Sequence, residues 1–246
     1  MRKLLTILLI TVMMISQPVM QSYAAADPSP RKLPRDKVTA KVFDNFTESD
    51  EEKKIYSYIQ IPKDFHPGDK WAGDWSDIES GGQTFFYFGC GVCCLSNMLS
   101  TLKDRVIRPD VMFERAKEQT DYNPDSGVGA LSWEQLRTVC ENAGLKAALK
   151  RKPDTLDEFR KDVEDSATTL VLVCRSDDDA LWFYTKGHYV NLWEYDPDTD
   201  TVFVTDPSGL FNRNRVMIED VYNALKTRSS YQYMTIDPKP LDKEQK

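Results

Sequence analysis

The hydrophobic period of this chain changes midway. In the middle of the sequence apolar residues recur at helical spacing, and in the second half they fall into short β-branched or alternating runs. Leu95, Met98, Leu99 and Leu102 predict a helix over 91–102, and a second is expected over 110–119. A third starts at Ser132, where Ser132 and Gln135 form a capping box and Trp133, Leu136 and Cys140 share one face. Gly144 suits its C-terminal stop. A fourth begins at Thr155, with Glu158 three residues on. Strands are expected over 169–174, 187–195 and 201–205, the last two joined by the polar turn Asp196-Pro197-Asp198-Thr199-Asp200. A helix over 218–226 and a strand over 231–236 close the pattern. Helices first and antiparallel strands second predict an α+β domain of two lobes.

The flanks read differently. Met1-Arg2-Lys3 is a short basic start, Leu4 to Ile15 is a run of apolar residues and threonines, and Ala24-Ala25-Ala26 supplies small residues before Asp27. That is the layout of a secretory signal peptide over 1–26, too short in its apolar part for the ~20 residues of a spanning helix. Export to a secreted or extracytoplasmic location is therefore expected, with no stable membrane insertion after cleavage. Residues 27–54, rich in Pro, Lys, Arg, Asp and Ser, are expected to form a polar linker, 55–237 the folded domain and 238–246 a polar tail. The 246 residues carry a net charge of −7, and cleavage would remove Arg2 and Lys3 but no acid. An acidic chain without a basic run argues against nucleic acid as a partner. Oligomeric state is left open.

Five cysteines, Cys90, Cys93, Cys94, Cys140 and Cys174, leave at least one thiol unpaired, and three fall within five residues. Cysteine chemistry needs explaining more than cysteine stapling. In Gly89-Cys90-Gly91-Val92-Cys93-Cys94 a loop is expected to become a helix at Cys90. First-turn amides and the positive end of the helix dipole favour thiolate there, the attacking form. The flanking glycines let backbone approach the sulfur. Cys93 and Cys94 are expected to be buried structural residues. A rival reading takes Cys90 and Cys93 as a C-x-x-C pair for thiol–disulfide exchange. With two histidines and no second ligand pair at metal spacing, no metal or cofactor is expected.

Only His66 and His188 can serve as an imidazole base. His66 lies in Phe65-His66-Pro67-Gly68-Asp69 and reads as a solvated loop residue, whereas His188 opens an apolar strand and Asp206 ends the next. If Asp196 pairs with Asp200, Val190 lies opposite Asp206, and His188 becomes the diagonal, same-face neighbour of Asp206. The carboxylate then holds one imidazole nitrogen and the other faces the thiolate. A loop one residue longer or shorter would put the two on opposite faces.

The segments Phe88-Gly89-Cys90-Gly91, Gly187-His188-Tyr189-Val190 and Val204-Thr205-Asp206-Pro207 resemble, in chain order and content, the three motifs of the bacteriocin-leader (double-glycine) cysteine peptidases, family thirty-nine, in its stand-alone branch. The resemblance spans about residues 55–237. It implies a papain-like fold, a helical lobe carrying the nucleophile packed on an antiparallel sheet lobe. It also implies hydrolysis of peptide bonds in a peptide or protein substrate, with Cys90, His188 and Asp206 catalytic. The family uses a glutamine ahead of the nucleophile as oxyanion donor. Gln60, in Tyr58-Ile59-Gln60-Ile61-Pro62, is the first choice and Gln83 the alternative. Two other functions remain open: a non-catalytic papain-like module binding a peptide or envelope component, and amidase or acyl-transfer chemistry with the same residues.

Overall fold

A computed structural model describes residues 43, 46–126, 129–175 and 181–239. The expected signal peptide, most of the expected linker and most of the polar tail lie outside them. Among the described residues no helix is long and apolar enough to cross a membrane.

The described chain begins with α1 (Asp50–Lys53), capped by a Ser49/Glu52 box. A small hairpin, β1 (Glu79–Ser80) and β2 (Gln83–Thr84), leads into α2 (Phe85–Phe88) and α3 (Cys90–Leu102). Then come α4 (Pro109–Gln119), α5 (Trp133–Asn142), β3 (Ala147–Lys150), α6 (Leu156–Glu164) and β4 (Thr168–Val173). The chain ends with β5 (His188–Asp196), β6 (Thr201–Thr205), β7 (Asn214–Met217), α7 (Ile218–Ala224) and β8 (Tyr233–Ile236). The six long strands form one antiparallel sheet in the order β3-β8-β4-β5-β6-β7. The fold is α+β.

Local chemistry explains the helix limits. Ser132 and Gln135 cap α5 reciprocally, and Thr155 and Glu158 do the same for α6. After α5, Gly144 takes φ +77°, its N–H returns to the Glu141 carbonyl and that of Leu145 to Cys140. This is a Schellman stop, which a β-carbon at Gly144 would strain.

The sheet is buried on both faces. Leu170, Leu172, Tyr189, Trp193 and Phe203 share a core with α3, α4 and α5. Val171, Val173, Val190, Leu192 and Val204 share another with α6 and α7. The expected picture of a helical lobe against a sheet lobe omits this second helical cover.

The expected domain start at Ile55 falls inside packed structure. Glu52 is 1% exposed and pairs with Arg215, while Glu48 takes both ends of the Arg213 guanidinium at 2.8 Å. Arg213 also donates to the Ile55 and Glu52 carbonyls, and Phe46 packs on Phe203. Partners more than a hundred residues away hold this polar stretch, so composition alone reads it as linker.

The β5–β6 hairpin carries the register on which the site depends. At its far end Asn191 pairs with Thr205, which sets Val190 opposite Asp206 as expected. At the turn, however, Asp196 pairs with Thr201 and not with Asp200. A bulge between Trp193 and Asp196, with Glu194 at φ +44°, absorbs the extra residue. Arg215 donates to the Glu194 carbonyl at 3.1 Å and holds the bulge.

Candidate active site

The site forms where the start of α3 meets the adjoining ends of β5 and β6. Its first member, Cys90, does not follow a loop as expected. Gly89 is helical, at φ −75° and ψ −12°, so α2 runs into α3 through it. A β-carbon on Gly89 would stand 2.4 Å from a Phe85 ring carbon, which explains the glycine by packing. Gly91 meets only ordinary contacts at 3.4 Å, from Leu131 and Tyr189. The backbone N–H groups of Gly91 and Tyr189 nevertheless lie near the Cys90 sulfur and favour its thiolate.

His188 and Asp206 meet as the register requires. Nε2 of His188 lies 2.7 Å from Oδ1 of Asp206, with both side chains buried. That leaves Nδ1 on the side of the Cys90 sulfur, and the two groups lie close enough for each to shift the other's protonation. Burial pushes the Cys90 thiol up, but the hydrogen bond and positive charge of His188 and the two amides outweigh it, and Cys90 lies below an ordinary thiol. Burial alone would lower His188, yet the charge and hydrogen bond of Asp206, joined by Cys90, raise it to about 10. Burial works against the Asp206 carboxylate, but the His188 charge and its hydrogen bond, with Ser208, bring it below the usual range. All three shifts point to one state, thiolate–imidazolium–carboxylate.

The neighbouring thiols behave oppositely. Cys93 and Cys94 are fully buried, and burial with the nearby Cys90 charge pushes both well above the ordinary value. Burial raises Cys140 to about 12. All five cysteines are unbridged. Cys93 lacks the imidazole and backbone amides that offset burial at Cys90.

The two glutamines separate clearly. Gln83 is exposed in β2. Gln60 is 7% exposed, and its N–H bonds to the Pro207 carbonyl, next to Asp206, at 2.8 Å. Its side-chain Nε2 donates to the carbonyl of Phe86, four residues before Cys90, while Oε1 has no partner. Donation to a carbonyl fixes which end of the amide is nitrogen, and that nitrogen carries a second N–H. Asn97 of α3 holds the segment in place, its Oδ1 accepting from Tyr58 N–H at 2.5 Å. One helix therefore carries Cys90 at its start and an anchor for the Gln60 segment two turns later.

Several contributors escaped the sequence reading. Trp182 donates its indole N–H to Asp206 Oδ2 at 3.1 Å, and Ser208 N–H donates to Oδ1 at 2.7 Å. Asn212 Oδ1 accepts from the Asp206 N–H at 3.0 Å. Tyr184 lies beside the site, its ring 6.4 Å from the imidazole and its hydroxyl 2.8 Å from Ser208 Oγ. Trp182 and Tyr184 sit in the run Leu181-Trp182-Phe183-Tyr184, which carries no motif that marks a partner of Asp206. His66 is half-buried, not solvated: its ring lies against Gly209, in the loop after Asp206. Among the described residues no cluster of three or more His, Cys, Asp or Glu side chains is arranged to hold a metal.

No protein-family model matches the sequence, and no curated protein matches it. Among solved structures, the chain is similar to the peptidase domain of Streptococcus ComA, a bi-functional ABC transporter involved in a quorum sensing pathway. The two align with a TM-score of 0.42 at 10% identity, over 62% of this chain and 93% of that one. So loose an overlap leaves the side-chain geometry to carry the functional reading.

Proposed function

We propose that the protein is a papain-like cysteine peptidase with Cys90 as nucleophile, His188 as acid–base group and Asp206 as its orienting carboxylate. The Cys90–His188–Asp206 chain of contacts, closed by the 2.7 Å link between imidazole and carboxylate, carries this reading. Three buried titratable groups in that order have no packing reason to favour their charged forms together.

In the proposed reaction the Cys90 thiolate attacks the acyl carbon of a peptide bond. The second N–H of Gln60 Nε2 and the Cys90 backbone N–H donate to the oxygen that gains charge. Removing one such donor typically costs about 10²–10³ in kcat. The His188 imidazolium gives its Nδ1 proton to the leaving amine as the C–N bond breaks. A water then attacks the thioester, His188 takes its proton, and the acid leaves with Cys90 restored as thiolate. Asp206 holds the imidazole through Nε2 throughout and stabilises its charged form. Cys93 and Cys94, lacking an imidazole, take no part.

With Cys90 only 7% exposed, the site suits an extended peptide better than a bulky folded surface. The N-terminal 26 residues support an exported enzyme. The test is a peptide-cleavage profile of the protein beside its Cys90→Ala variant. Cleavage products present only with the unaltered protein are expected. Identical profiles beside retained peptide binding would leave a non-catalytic binding module. Release of ammonia or acyl transfer without peptide cleavage would reassign the same residues.

A further inference from the structure

Asp206 is fully buried, and its carboxylate has four oxygen lone-pair positions to satisfy. Oδ1 receives two donors, His188 Nε2 and Ser208 N–H, each at 2.7 Å. Oδ2 receives Trp182 Nε1 at 3.1 Å. Trp182 is itself fully buried and held on two sides. Phe211 packs edge-on at 5.7 Å between ring centroids, and the Trp182 carbonyl accepts from Thr185 N–H at 3.2 Å. An indole N–H is a donor only and does not titrate, so it cannot trade roles with the carboxyl group.

We infer that Trp182 is a positioning residue for the Asp206–His188 pair: its indole N–H holds the second carboxylate oxygen and thereby keeps the first aimed at the imidazole. The inference rests on the proposed cysteine-hydrolase reading and deepens it by one residue. Without the indole N–H, Oδ2 loses its donor and depends on the Ser208 and Tyr184 hydroxyls beside the carboxylate, which is costly for a buried charged group. The carboxyl group relieves that either by rotating, which pulls Oδ1 off Nε2, or by taking a proton. Both outcomes remove negative charge from beside the imidazole. His188 then holds its proton less firmly, and Cys90 loses the cation that favours its thiolate. Trp182 touches no reacting atom; it acts through Asp206 and His188.

The titratable groups around the pair are few and can be followed. They are Tyr184 on the segment before β5, Cys90 and Cys94 on α3, and His66 against Gly209 beyond Asp206. The deletion is expected to act on the charge of Cys90 and of His188 itself.

The experiment is the pH dependence of Cys90 carboxymethylation, read by mass spectrometry of the Cys90 peptide, in the whole protein and in two variants. Trp182→Phe keeps a ring against Phe211 and deletes the N–H. Replacement of Trp182 by benzothienylalanine keeps the full shape with sulfur in place of N–H, and so covers the case in which phenylalanine loosens the core. The expected result is an upward move of the acid-side midpoint by about one pH unit, with kcat/KM on a cleaved peptide falling roughly tenfold and KM little changed. A folded benzothienylalanine variant with the native profile overturns the inference while leaving the proposed function intact. An unaltered protein whose Cys90 alkylates as an ordinary thiol overturns both.

Discussion

Cys90 and Cys93 lie one helical turn apart on α3, both buried, and differ in what their sulfurs meet. Cys93 has burial and a neighbouring negative charge, and its thiol is pushed well above the ordinary value. Cys90 has the same burial plus His188 and two backbone N–H groups, and lies below it. Desolvation is common to both, so it does not make the nucleophile. A cation delivered from a strand 98 residues later does, and that cation persists only because Asp206 is behind it.

The comparison breaks most sharply by substitution. Cys90→Ala is expected to lower peptide turnover by on the order of 10⁴-fold or more, whereas Cys93→Ala leaves most of it. Equal losses from the two would return the disulfide-exchange reading. Next in size, Asp206→Asn keeps the shape but removes the charge. Turnover should fall by on the order of 10³-fold. The alkaline limb of the pH–rate profile should move down from about 10 toward the ~6.5 of an ordinary histidine. The sign follows from the pair: activity needs imidazolium with thiolate, so it rises as Cys90 ionises and is lost as His188 deprotonates. An unmoved alkaline limb would mean that Asp206 does not set His188. Smaller again is the test of the oxyanion donor. Gln60→Ala should cost about 10²-fold in kcat with KM nearly constant, and Gln83→Ala nothing measurable. The reverse order would move the donor to β2. The smallest effect concerns packing alone: Cys93→Ala deletes a buried sulfur and should lower stability by roughly 1–2 kcal/mol in a denaturant titration.

The sequence made the site's order legible more readily than its surroundings. Helices α5 and α6 announce themselves because a capping box and an apolar face are local signals. His188 and Asp206 were findable because one hairpin joins them and parity decides which residues share a face. Even so, the pairing at the turn was misread, and the register survived because the bulge at Glu194 offsets the longer loop. A bulge at a non-glycine residue, held by Arg215 from β7, leaves no mark in sequence. Strands β3 and β7 are four residues each and lie at the sheet edges, where partners and not pattern make a strand. Helix α1 is Asp-Glu-Glu-Lys, charged throughout, and its bonds to Arg213 and Arg215 reveal that it is packed. Trp182 is a fully buried core residue, and its one polar side-chain atom supplies the information that composition hides.

The account stands or falls on the charge state of one sulfur, so the most direct measurement is the rate of iodoacetamide alkylation of Cys90 against pH, in the native protein and in His188→Ala. The expected result is a native midpoint well below the ~8.5 of a free thiol and a shift above that value once the imidazole is gone. A native midpoint at or above 8.5, unmoved by the substitution, would contradict it, because Cys90 would then be another Cys93.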